Sequence, residues 1–283
     1  MENKLIFEFS KNKTDGDSSL NNLLGGKGAN LAEMSKMGIP VPPGFTITTE
    51  VCNYFTENEK FPENLDNDIK EAVKKLETFS KKSFGGDGMP LLLSVRSGGR
   101  ISMPGMMDSI LNIGLNDGNV SQLAEAFNDE RFALDSYRRL IQMYSNVVLG
   151  VEHERFEAVI ANKKRMDDVD SDADFNVDQL NWIINAYKNT VERFTDAAFP
   201  QEPYDQLIGA IEAVFNSWQN KRAVTYRKIN NIPDAWGTGA TVQTMVFGNL
   251  NDKSGTGVAF TRNPSNGDKE LYGEYLINAQ GED

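Results

Sequence analysis

Residues 94–108 read Ser94-Val95-Arg96-Ser97-Gly98-Gly99-Arg100-Ile101-Ser102-Met103-Pro104-Gly105-Met106-Met107-Asp108. The apolar run over 91–95 predicts a buried strand that ends in Arg96. Glycines, hydroxyls and a second guanidinium follow at once. Glycine lets backbone amides approach phosphate oxygens, and arginine supplies forked, permanently charged donors. An arginine at the end of a buried strand needs an anionic partner, either a structural acid or a bound ligand. The glycines and hydroxyls beside it favour phosphate, so Arg96, Gly98, Gly99, Ser102 and Gly105 are candidate ligands. Arg100 reads either as a further ligand or as a side chain open to solvent until a lid closes. Met103, Met106 and Met107 suit a core or a surface that repacks when a loop moves.

A second glycine cluster, Gly25-Gly26-Lys27-Gly28, precedes a helical pattern over 27–37 in which Leu31, Met34 and Met37 share a face and Gly38 stops the helix. A helix N-terminus offers unpaired amides and a partial positive charge, to which Lys27 adds a full one. The spacing is not that of a P-loop, which needs Gly-x-x-x-x-Gly-Lys-Ser/Thr. Alone, the cluster is equally a loop with a solvated lysine. Together with 96–105 it points to nucleotide phosphates.

Around these clusters the chain reads as α+β. Strands are predicted at 5–9, 45–49 and 91–95, with mostly helix over 50–82 broken near Pro62. Helices follow at 120–128, 131–151, 177–194 and 202–229, and an aspartate-rich charged loop at 163–174 separates two of them. After Pro233 the period changes to strands at 241–247, 254–261 and 271–279. The expected divisions are a first α/β subdomain over 1–116, a helical insert over 117–201, a return at 202–240 and an incomplete second subdomain over 241–283.

The chain carries 29 basic and 41 acidic residues, a net charge of −12. That balance argues against nucleic acid or an anionic membrane as partner and makes the local basic clusters stand out. One cysteine, Cys52, excludes an intrachain disulfide, and with no signal-peptide pattern and no membrane-length apolar run a cytoplasmic location is expected. His153, the one histidine, lies among carboxylates and reads as a surface residue; a multi-histidine metal site is excluded and a Ser-His-Asp triad disfavoured. Gln243, Met245 and Val246 lie on a segment joining two expected subdomains, either an adenine-reading strand or plain core. Arg262, at a strand end before Asn-Pro, reaches a ligand or caps a surface turn.

Taken together, the segments 23–34, 41–46, 94–98, 102–108, 137–144 and 273–283 resemble the pyruvate, phosphate dikinase family across essentially the whole chain. Phosphoenolpyruvate synthases, its relatives, share the lysine helix and Ser-Val-Arg-Ser but not Met-Pro-Gly-Met-Met-Asp. The resemblance implies an ATP-grasp nucleotide-binding fold in which Lys27 and Arg96 hold ATP phosphates, the 98–108 loop closes over them, and 243–246 forms an adenine hinge. It further implies Mg²⁺ held by side chains downstream of residue 283, inorganic phosphate as second acceptor, and a swivelling phosphohistidine domain elsewhere in a homodimeric enzyme. The family's phosphohistidine segment is absent, so the chain is expected to be an N-terminal part that makes no phosphoenolpyruvate unaided. Two other readings stay open: a related dikinase using water as second acceptor, and a catalytically silent nucleotide-binding or interaction module.

Overall fold

The computed structural model describes residues 4–281, which divide between Met245 and Val246 into two compact units. The first contains five strands: β1 (Ile6–Phe9), β2 (Gly44–Ile47), β3 (Leu93–Gly99), β4 (Ser109–Ile113) and β5 (Thr238–Thr244). They form one antiparallel sheet in the order β1-β2-β5-β3-β4. Among the described residues nine α-helices accompany the sheet: α1 (Asn21–Lys36), α2 (Thr49–Asn58), α3 (Leu65–Ser80), α4 (Val120–Phe127), α5 (Glu130–Val147), α6 (His153–Asp167), α7 (Val177–Thr195), α8 (Pro203–Ser217) and α9 (Lys221–Ile229).

Strand alternation gives the sheet two unlike faces. Phe45, Val242, Val95 and Ile110 are neighbours in one cross-strand row and are all fully buried. Burying each such side chain is worth about 1.5–3 kcal/mol. The next row is Thr46, Thr241, Arg96 and Ser109. Helix α1 covers this polar row, and the Thr46 and Thr241 hydroxyls lie 3.4 Å apart beneath it. Only a helix with a small-residue face fits so closely. A Cβ on Gly28 would stand 2.7 Å from Thr46 Oγ1, and the other buried positions of α1 include Ala29, Ala32 and Ser35. The expected Leu31, Met34 and Met37 stripe is therefore not the buried face, and Met37 is 70% exposed.

Other elements differ from expectation for local reasons. Helix α6 was not expected because only Phe156 and Ile160 along it are buried; two apolar positions make a weak periodic signal. It carries the expected 163–174 loop's first residues to Asp167. The single helix expected over 202–229 is two, since the amides of Gln219 and Asn220 turn back to Asn216 and Ser217 between α8 and α9. Strand β4 was not expected, and β3 runs past Arg96 to Gly99, which makes Arg96 a mid-strand residue. The expected boundary at residue 241 falls inside β5, the central strand of the first sheet.

Helices α4 to α7 pack against β4 and α8 through α5, whose N-terminus is capped by Asp129 accepting from the Phe132 amide at 2.9 Å. Inside α5, buried Asp135 binds buried Arg138 at 2.8 Å and Arg139 at 3.0 Å. The second unit holds a hairpin of β6 (Gly255–Phe260) and β7 (Tyr272–Ile277), with Gly255 opposite Ile277 and Phe260 opposite Tyr272. No helix among the described residues is long and apolar enough to cross a membrane. The last two residues of the 273–283 segment lie outside the described residues.

Candidate functional site

Where the sheet's β3 and β5 ends meet the start of α1, a cleft of about 710 Å³ opens. That volume is within the ordinary range for small-molecule sites. Both glycine clusters line it: Gly26 and Lys27 on one side, and Ser97, Gly98, Gly99, Arg100, Ser102 and Gly105 on the other. Asn21, Asn30 and Ser109 complete the polar rim.

The glycines act first by removing bulk. Gly25, at φ 68°, breaks α1, so that the helix proper begins at Gly26 and Lys27 lies in its first turn. A Cβ on Gly25 would stand 1.7 Å from the Gly98 carbonyl oxygen, and one on Gly239 would stand 2.7 Å from the Leu24 carbonyl oxygen. Neither position tolerates a side chain. The helix start can therefore dock directly on the strand ends, and Lys27 Cβ comes within 3.3 Å of where a Gly98 Cβ would be. Gly98 is not a free amide donor: its N–H donates to Thr238 Oγ1 at 3.1 Å. Gly98 and Gly99 thus form strand and docking surface, while the loop proper is 100–108.

Arg96 projects from the face of β3 that Gly98 occupies, because the two are two positions apart along the strand. It lies in the polar row under α1, between Thr241 and Ser109, and is half-buried. Lys27 is exposed at the cleft mouth. The loop 100–108 is fastened at both ends. Asn21 Nδ2 donates to the Arg100 carbonyl at 3.1 Å. Asp108 accepts from Asn220 Nδ2 at 3.0 Å and from Arg222. Between them Met103 is buried and Gly105, at φ 69°, has open space around it.

The remaining candidates lie elsewhere. Gln243 donates to the Pro42 carbonyl at 2.9 Å. It lies four residues along β5 from Gly239, roughly 13 Å at 3.3 Å per residue. The amides of Thr244 and Met245 are already donated to Pro43 and Leu92. Val246 and Arg262 belong to the second unit, where Arg262 donates to the Gly267 carbonyl at 3.2 Å and closes its own surface turn. His153 is on the exposed surface of α6, 3.3 Å from Glu157. Among the described residues no three His, Cys, Asp or Glu side chains converge as a metal site. Asp108, at the loop's end, is engaged by Asn220 and Arg222, so the cleft presents cations and amides, not a carboxylate set for Mg²⁺.

Sequence reasoning did not single out Asn21, Asn30, Asn220 or Arg222. Isolated asparagines and a surface arginine carry no local pattern, and only the fold brings them to the loop.

A family model described as "Pyruvate phosphate dikinase, AMP/ATP-binding domain" matches residues 21–83 and 56–283. Similar curated proteins include a pyruvate, phosphate dikinase of Rickettsia conorii, 52% identical over 281 residues, 99% of this chain and 32% of that protein. One from Clostridium symbiosum is 52% identical over 282 residues, again 99% and 32%. The chloroplastic protein of Mesembryanthemum crystallinum is 49% identical over 281 residues, 99% and 30%. The chain spans about a third of the length of these relatives.

Proposed function

The chain belongs to the pyruvate phosphate dikinase AMP/ATP-binding domain family, and from that premise we propose that its cleft holds the polyphosphate of ATP as the phosphoryl-donor part of a pyruvate, phosphate dikinase. The single observation that carries this reading is the docking of Gly25 on Gly98, which puts a helix N-terminus, Lys27 and the arginine-bearing strand on one cleft.

Polyphosphate transfer depends on positioning and on charge neutralisation. Lys27 would meet the phosphates at the mouth as a mobile point charge. Arg96 would hold them from the sheet as a planar fork. The amides at the start of α1 would add the helix's partial positive charge. The 100–108 loop, tied at Asn21 and Asp108 and free near Gly105, would fold over the phosphates and exclude water. An ATP-grasp arrangement would use residues 243–246 as the adenine hinge. Mg²⁺ belongs to this chemistry in the family, but the described residues do not fit it. The phosphoryl acceptor would be a histidine on a separate domain, with inorganic phosphate as second acceptor, and this chain alone would form no phosphoenolpyruvate. The Met-Pro-Gly-Met-Met-Asp loop favours the phosphate-using dikinase over its water-using relative.

Calorimetric titration with ATP tests the reading. Lys27→Ala and Arg96→Ala should each weaken binding by about 1.5–3 kcal/mol, the scale of a charge-assisted contact. Wild-type affinity in both variants would remove the phosphate site from this cleft.

A further inference from the structure

One cation in the cleft makes a contact that its location does not require. Arg100 lines the cleft, yet its guanidinium is turned onto the Trp236 ring, 5.2 Å from the ring centroid. Its Nε is buried and has no hydrogen-bond partner among the described residues. Its backbone, by contrast, is fixed, since Asn21 Nδ2 holds the Arg100 carbonyl. The side chain can therefore change partner without moving the backbone that carries it.

The ring it rests on is a rigid platform. Trp236 ends the short turn Asp234–Trp236 just before β5. Three groups fasten that turn. Buried Arg227 binds the Asp234 carboxylate at 2.8 Å, Trp218 Nε1 donates to the Asp234 carbonyl at 2.9 Å, and Asn53 Nδ2 donates to the Ala235 carbonyl at 2.9 Å. Arg227 in turn stacks on Trp218, 4.1 Å from its ring centroid. Trp218 is 2% exposed and its ring reaches to 3.7 Å of where a Gly99 Cβ would be. The strand end just before Arg100 and the turn carrying Trp236 are thus braced through one buried cluster.

A guanidinium at 5.2 Å is near the outer limit of about 6 Å for attraction to a ring face. A forked, charge-assisted bond to phosphate oxygens is the stronger partner and also satisfies the orphaned Nε. We propose that Arg100 is a further polyphosphate-binding residue, held on Trp236 while the cleft is empty and transferred to the phosphates when a nucleoside triphosphate enters. This rests on the reading of the cleft as a polyphosphate site and adds a named residue, its resting place and an optical signal. Removing a cation from the indole face changes that indole's emission, so Trp236 reports the transfer.

The test titrates the 283-residue chain with tripolyphosphate, ATP and AMP, following heat and tryptophan emission. The variants are Arg100→Ala, Arg100→Lys and Trp236→Leu, each checked for an unchanged melting transition. Wild type should bind tripolyphosphate and ATP with a change in emission. Arg100→Ala should bind both about tenfold more weakly and leave AMP within about twofold, with Arg100→Lys in between. Trp236→Leu should abolish the emission change and bind tripolyphosphate about two- to threefold more tightly, because no population is held on the ring. Wild-type affinity for tripolyphosphate and ATP in Arg100→Ala, or an equal loss for AMP, would overturn the assignment of Arg100 while leaving Lys27 and Arg96 in place. Weakening by Trp236→Leu would overturn the storage role. Absence of tripolyphosphate binding by wild type would overturn the cleft reading and this proposal with it.

Discussion

Gly25 lies so close to Gly98 that a single methyl group on it would stand 1.7 Å from the Gly98 carbonyl oxygen. The contact joins two glycine clusters far apart in sequence, and Gly25 also has φ 68°. Gly25→Ala is therefore expected to lose the roughly 1–3 kcal/mol of forcing a side chain into left-handed backbone, plus the clash. Gly38 has φ 82° and nothing within 4 Å of its would-be Cβ, so Gly38→Ala measures the backbone preference alone. Denaturant midpoints of the two variants provide the check, and equal losses would contradict the close docking.

The Asp108 tether should govern loop order more than global stability. Arg222 is 55% exposed in this pair, and exposed ion pairs contribute about 0.2–1 kcal/mol. Asp108→Ala should change the melting transition little, while amide exchange across 101–107 speeds up about two- to fivefold, the equivalent of about 0.4–1 kcal/mol in local opening. Unchanged exchange in that segment would show that the tether does not hold the loop.

The Asp135 cluster gives an acid dependence with a definite sign. Burial works against the Asp135 charge, but Arg138 and Arg139 hold its carboxyl below the ordinary value of 3.8. Its stabilising contribution is thus fully present above about pH 3.8 and lost as pH falls through the lower folded value. Asp135→Asn should cost about 3–5 kcal/mol at neutral pH, since it strands buried arginine charge. Denaturation of both proteins at pH 7 and pH 3 should show the gap narrowing at the lower pH; a constant gap would rule out the ionised pair as its source.

Cys52 is fully buried, and burial pushes its thiol up to about 11. The thiolate is the reactive form, so a disulfide reagent at pH 8 should label the native chain only as fast as it opens. Labelling should become immediate in denaturant. Rapid stoichiometric labelling of the folded protein would contradict the placement of α2 against the core.

The two glycine clusters that line the cleft were legible because glycine and arginine each carry a strong local meaning; the strands near Phe45 and Val242 show β-branched or aromatic runs and the one near Leu91 an apolar run. The sheet order was not legible. Nothing local in Thr241 or Val242 says that β5 is inserted between β2 and β3, since that pairing is settled by the α1 side's need for small and polar partners. The face of α1 was misread for the same reason: docking favours Gly28, Ala29 and Ala32, whereas periodicity rewards Leu31 and Met34. The glycines at 98 and 99 look like a loop, yet they complete a strand whose lack of side chains admits α1. Trp236 and Asp108 acquire their roles only from contacts across more than a hundred residues, with Arg100 and with Arg222.

Hydrogen–deuterium exchange with and without ATP tests the central claim most directly, because it reports where the ligand lies without altering a residue. The account requires slower exchange in 26–30 and across 97–109, the two walls of the cleft. Protection confined to other surfaces, such as the groove lined by α4 and the start of α5, or no protection anywhere in residues 4–245, would contradict it.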